Sequence, residues 1–167
     1  MRRFFGSTLI AGGFVVAAWW AIGPERLVFA IVVQMLLMAW AAFVVTERFP
    51  LLRSSWFRVS KWETSLYRKV GVGVFGRLLG VVGWNQIVVR ERGYQVTREG
   101  MLVLEQHTRR SEVAHLLCTC AGLGLAVASL VTGALIGAVW LLVSTIVLQL
   151  YPALLQRFVR ARLQLLV

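Results

Sequence analysis

The sequence predicts an all-α integral membrane protein: four transmembrane helices forming two hairpins, with a cytoplasmic interfacial or re-entrant segment between them. Three observations predict it. Of the 167 residues 59% are hydrophobic and the mean hydropathy is +0.75, far more apolar than an ordinary water-soluble domain. Several uncharged runs reach the length a bilayer requires. The Lys and Arg residues gather in the segments left on one side when those runs are threaded through a membrane.

The first span is residues 4–22, 19 positions without a charge. As a helix it is about 28 Å long, which matches the hydrocarbon core. Met1-Arg2-Arg3 ahead of it imitates a signal peptide, but no small-x-small cleavage site precedes Pro24 and a second span follows at once. An uncleaved first helix is therefore expected. Gly23-Pro24-Glu25-Arg26 makes a tight turn, and residues 27–46 supply a second span closed by Glu47-Arg48 and Pro50. From Val113 to Gln156 there is no Asp, Glu, Lys or Arg over 44 residues. That is room for two spans, 113–131 and 134–152, with a break at Thr132-Gly133, and a basic tail follows at 156–167. With the two short turns outside, 17 of the 18 Lys and Arg lie at the cytoplasmic face, as do both termini, and Arg26 alone disagrees. Residues 1–167 then form a single membrane domain.

Between the hairpins lies the interfacial segment, 48–110. Residues 70–89 are apolar apart from Arg77, yet a spanning helix there would bury Arg77 at about 3 kcal/mol and carry five glycines at about 1 kcal/mol each. It would also reverse the charge asymmetry. The segment is therefore expected to re-enter or lie on the membrane, with Trp56, Trp62, Tyr67 and Trp84 at the interface. Gln86 to Arg92 reads as extended, Gly93 as a turn, and Thr97 as the cap of a helix running into the third span.

All seven acidic residues are Glu, and the net charge is +11. On a membrane protein this excess sets topology and attracts anionic lipid headgroups, so membrane lipids are the expected partners and nucleic acid is not. Two His, two Cys and no Asp leave no metal site to assemble, and no cofactor motif is present: Gly71-Val-Gly-Val-Phe-Gly lacks the strand and acidic residue of a dinucleotide fingerprint. Cys118 and Cys120 point in different directions on a helix and read as packing residues.

On one helix from 97 to 130, Glu105, Thr108, Arg109, Glu112 and His115 share a stripe about 120° wide. Glu112 and His115 are three apart, and an imidazole beside a carboxylate is an arrangement for taking a proton from a hydroxyl. The same residues also read as ordinary helical ion pairs plus a histidine bonded to a neighbouring helix. Glu63, in the interfacial segment, is a third candidate. Arg157 and Arg160 after the fourth span read as a topological anchor or as a site for an anionic headgroup, carboxylate or phosphate.

Trp62-Glu63 with Tyr67-Arg68, Arg110-Ser111-Glu112-Val113-Ala114-His115, and Pro152 with Gln156-Arg157 and Arg160-x-Arg162-Leu163 together resemble the glycosyl-diaponeurosporenoate acyltransferase family. Phe158-Val159 replaces the family's Tyr-Asn pair, and Phe75 to Gly80 stands where the family has a more polar stretch. The resemblance implies a fatty acyl thioester such as acyl-CoA as donor, with no resident cofactor, and a hydroxyl of a lipid-soluble glycosylated acceptor. It implies His115, Glu112 and Glu63 as catalytic residues, and Arg109, Arg157, Arg160, Trp62 and Tyr67 as substrate-binding ones. The implied location is a bacterial-type inner membrane. The rival reading is a non-catalytic accessory subunit that binds lipid or pigment, or packs against partner membrane subunits through small residues such as Ala11-Gly12-Gly13 and Gly122-x-Gly124.

Overall fold

A computed structural model describes residues 2–45, 52, 54–83 and 97–165. Trp84, the stretch from Gln86 to Arg92 read as extended, Gly93, and the closing signals Glu47-Arg48 and Pro50 lie outside the described residues. Within them the chain is helical: α1 Arg2–Ile22, α2 Leu27–Val44, a 3-10 turn Ser55–Phe57, α3 Lys61–Lys69, α4 Val72–Val81, α5 Arg98–Val131, α6 Leu135–Thr145, a π-helical turn Ile146–Leu150 and α7 Tyr151–Leu163. Four helical stretches among these residues are long and apolar enough to cross a membrane: Phe5–Ile22, Leu27–Val44, Arg98–Val131 and Leu135–Leu163. The chain is a multi-pass membrane protein by that measure.

The expected helix breaks fall where left-handed glycines stand, Gly23 with φ +87° and Gly133 with φ +82°. Thr97 caps α5 as expected, its Oγ1 accepting the Gly100 N–H at 3.1 Å. The helix that holds the fourth expected span runs past residue 152. It continues through a π turn to Leu163. Pro152 lacks an N–H and its ring crowds the preceding turn, and a π turn just ahead of it is a common way of absorbing such a mismatch.

The chain divides into two compact units. The first comprises residues 1–49 and 113–152, and its core lies along one face of α2: Ala30, Val33, Gln34, Leu37, Ala41 and Val44 are buried at helical spacing. Against α1, Trp19 meets Phe29 edge to face with centroids 5.6 Å apart, and Trp40 Nε1 donates to Thr8 Oγ1 at 3.1 Å. Against α5, the Cys118 thiol lies 3.2 Å from the Leu37 carbonyl. Gly137 in α6 rests on the α1–α2 turn so closely that a Cβ there would collide with the Pro24 carbonyl.

The second unit comprises residues 50–112 and 153–167. Gly71, at φ +81°, joins α3 to α4, and Val72 packs with Tyr67 and Phe158 over Leu154 and Leu155. The other face of α4 leaves Val74, Leu78 and Val81 exposed.

The contact at Gly137 makes a local prediction. Gly137→Ala should destabilise the protein by about 1–3 kcal/mol through overpacking against backbone. Gly124→Ala, where a Cβ meets nothing within 4 Å, should leave the thermal midpoint in detergent at or slightly above the wild-type value.

Candidate functional site

In the second unit Glu63 stands three residues after Ser60, and this spacing decides where its first oxygen goes. Oε1 accepts the Ser60 backbone N–H at 3.0 Å, the carboxylate half of a capping box at the start of α3. Oε2 accepts the Tyr67 hydroxyl at 2.8 Å, one helical turn on, and Arg157 Nε at 2.7 Å. Arg157 Nη1 reaches onward to Glu112 Oε1 at 2.9 Å, and the other Glu112 oxygen accepts from Arg160 Nη2. Arg160 Nε then donates to the Phe57 carbonyl at 2.9 Å.

The result is a buried chain, Glu63, Arg157, Glu112, Arg160, in which each charge meets its opposite. Arg160 is fully buried and Glu112 is 2% exposed, so neither charge is tolerable without the other. Aromatic faces complete the enclosure: Arg157 lies over Trp56 at 4.8 Å, and Arg160 and Arg109 lie over Phe57 at 5.0 and 5.5 Å. Arg109 also pairs with Glu105 at 2.7 Å and donates to the Leu52 carbonyl. Gln164 ties the same region together, donating to the Phe57 carbonyl at 3.0 Å and accepting the Val59 N–H at 3.1 Å.

Burial by itself would raise the Glu63 carboxyl, but the hydrogen bonds from Arg157, Ser60 and Tyr67 outweigh it and bring it down to about 2. Tyr67 moves the other way, pushed up to about 12 by burial and by the carboxylate it donates to. Two donors stay open. Arg160 Nη1 and Arg109 Nε are buried and have no hydrogen-bond partner among the described residues.

In the first unit His115 is half-buried, and its Nδ1 lies 2.9 Å from Gln149 Oε1. Gln149 Nε2 donates to Gln34 Oε1 at 2.9 Å, and Gln34 Nε2 donates to Thr145 Oγ1 at 2.8 Å and Ser144 Oγ at 3.3 Å. Gln34, Gln149 and Thr145 are fully buried. The same unit holds an apolar groove of about 430 Å³, lined by residues that include Gly12, Leu36, Trp40, Ala121 and Gly124.

Of the residues the sequence singles out, Glu63, Glu112, Arg157, Arg160 and Tyr67 come together in one network, and Arg109 joins it through Phe57. Trp62 is 67% exposed, and it is Trp56 that stacks on an arginine. Both oxygens of Glu112 are taken by arginines, and the partner of His115 is Gln149. Gln34, Gln149, Phe57 and Gln164 carry no sequence motif. The two amides nonetheless have a signal, being the only Asn or Gln in the four expected spans. Among the described residues no group of three His, Cys or Glu is placed to hold a metal ion.

Residues 53–167, well over half of the chain, match the family model described as glycosyl-4,4'-diaponeurosporenoate acyltransferase. Nothing among curated proteins or solved structures matches.

Because Glu63 is held below its ordinary value of 4.5, its ionised form stabilises the fold fully above that pH, and the contribution drains away as pH falls toward about 2. Glu63→Gln should cost about 3–5 kcal/mol at neutral pH by leaving Arg157 short of a partner. It should also flatten the acid limb of the stability curve between those two values, measured by tryptophan fluorescence.

Proposed function

The chain belongs to the glycosyl-4,4'-diaponeurosporenoate acyltransferase family, and from this premise we propose that it moves a fatty acyl group from a thioester onto a hydroxyl of a glycosylated carotenoid or other glycolipid. The reaction is placed at the cytoplasmic face of a bacterial inner membrane, with both termini cytoplasmic, because the positive charge of the sequence favours that topology.

His115 carries the reading. It is a neutral-capable imidazole in an otherwise apolar span, half-buried and so within reach of a hydroxyl, with one ring nitrogen anchored by Gln149. In the proposed step the acceptor oxygen attacks the thioester carbonyl carbon while His115 takes the hydroxyl proton. As the new C–O bond forms and the C–S bond breaks, the imidazolium returns that proton to the departing thiolate, giving an ester and a free thiol. The orienting part that spacing assigns to Glu112 falls in this reading to Gln149.

The groove in the first unit supports a lipid-soluble substrate, since its lining suits an isoprenoid or acyl chain. In the second unit the ion-pair chain acts as the scaffold. Arg109, whose side chain is 30% exposed, suits an anionic group, whether a carboxylate, a donor phosphate or a lipid headgroup, while the fully buried Arg160 serves the scaffold. The exposed apolar face of α4 suits the expected interfacial segment, lying on the bilayer through Val74, Leu78 and Val81.

Purified full-length protein in lipid nanodiscs, given fatty acyl-CoA and a glycosylated carotenoid, should form the acylated product. His115→Ala should lower kcat by about 10²–10⁴-fold with little change in thermal midpoint. Wild-type turnover in that variant, or no transfer by the wild-type protein, would overturn the proposal.

A further inference from the structure

We infer that a one-way relay of side chains, running from Ser144 through Gln34 and Gln149, holds His115 as its Nδ1–H tautomer and leaves Nε2 free of a proton. The inference deepens the reading of His115 as the base and rests on it for its functional meaning. The tautomer itself can be measured without any activity.

The direction of the relay follows from the chemistry of each member. A serine hydroxyl has a single proton, and Ser144 donates it to the Leu141 carbonyl at 3.1 Å. Toward Gln34 it can therefore only accept. The Gln34 atom facing it must be the NH₂ group, which also donates to Thr145 Oγ1 at 2.8 Å. With its nitrogen committed there, Gln34 presents its oxygen to Gln149, whose own NH₂ donates at 2.9 Å. Gln149 is then left with its oxygen toward His115 Nδ1 at 2.9 Å. An amide oxygen has no proton to give, so Nδ1 must carry one.

Turning Gln34 over would put acceptor against acceptor at Ser144 and donor against donor at Gln149, and turning Gln149 over would set two amide oxygens face to face at Gln34. In a fully buried, apolar setting neither mismatch is repaired by water. Gly122 makes room for this arrangement in α5, since a Cβ there would collide with Thr145 Oγ1 and press on Gln34 Nε2. An imidazole without such a tie favours the Nε2–H form, which would offer a hydroxyl a donor instead of an acceptor. Gln34, Gln149 and Ser144 are thus positioning residues for His115.

The test is a long-range proton–nitrogen correlation spectrum of the full chain labelled with ¹⁵N-histidine in nanodiscs, recorded where imidazole is neutral. The two histidines are separated by the signals that vanish in His115→Ala. The expected result is a protonated Nδ1 and a bare Nε2 at His115, shifting toward Nε2–H in Gln34→Leu and in Gln149→Leu. In the transfer assay Gln34→Leu should lower kcat at least about 10-fold with KM little changed, as expected when a base is held in the wrong tautomer. An Nε2–H tautomer in the wild-type protein, or an unchanged tautomer in Gln34→Leu, would overturn the relay. The wild-type spectrum decides the direction by itself if a variant does not fold. An inactive protein with protonated Nδ1 would sink the catalytic reading and leave the relay standing, whereas an active protein with Nε2–H would do the reverse.

Discussion

Gln34 lies fully buried in α2, among residues with no water to offer its amide. A polar group left unpaired in such a place costs about 1–3 kcal/mol, more than most single contacts return. The first unit is arranged so that both ends of this amide are paired. Ser144 and Thr145 at the end of α6 and Gln149 in the π turn all face Gln34, which fixes how far α6 is rotated about its axis against α2. The glycines follow from the same requirement. Gly122 admits Thr145, and Gly137 admits the α1–α2 turn, because helices that share hydrogen bonds must approach more closely than large side chains allow. His115 enters at the end of this chain, so the residue proposed to do chemistry is held by the contacts that hold the unit together.

The second unit solves a harder version of the problem, with full charges. Burying Arg160 or Glu112 alone would be prohibitive, and even a buried pair gains little over apolar packing unless every lone pair and proton is used. Here both oxygens of Glu63 and both of Glu112 are used, and three guanidinium groups rest on the faces of Trp56 and Phe57. What the network adds is uniqueness of arrangement. It joins α3, α5, α7 and the turn before α3 through charged groups that meet their opposites. Against that completeness, the buried N–H groups Arg160 Nη1 and Arg109 Nε stand out as the part of the network left unpaired among the described residues.

Much of this was legible in the sequence, and unevenly. The uncharged runs fall within the four long apolar helices or match them closely, and Gly23, Thr97 and Gly133 marked ends that the structure keeps. The short motifs Trp62-Glu63, Glu112-x-x-His115 and Arg157 with Arg160 pointed to a family that the match over residues 53–167 bears out. The spacing Ser60-x-x-Glu63 carried a capping-box signal that says where one Glu63 oxygen goes. Residues 156–163 were harder. A basic run after a span reads as a topological anchor or a site for an anionic group, and only packing against Glu63 and Glu112 reveals that Arg157 and Arg160 point inward along a continuing helix.

By itself, then, the sequence determined the class of protein, the number of its long apolar helices and where they lie along the chain, and the family. These depend on composition and on residues adjacent along the chain. Tertiary structure alone decided who pairs with whom. Glu63 meets Arg157 across 94 positions and Gln149 meets Gln34 across 115. A hydrogen bond of 2.9 Å depends on how two helices are rotated against each other, and hydrophobic periodicity leaves that rotation open by tens of degrees. Glu112 and His115 show the consequence: three apart on one helix, they share a face by spacing, yet the partners they take are arginines for one and an amide for the other.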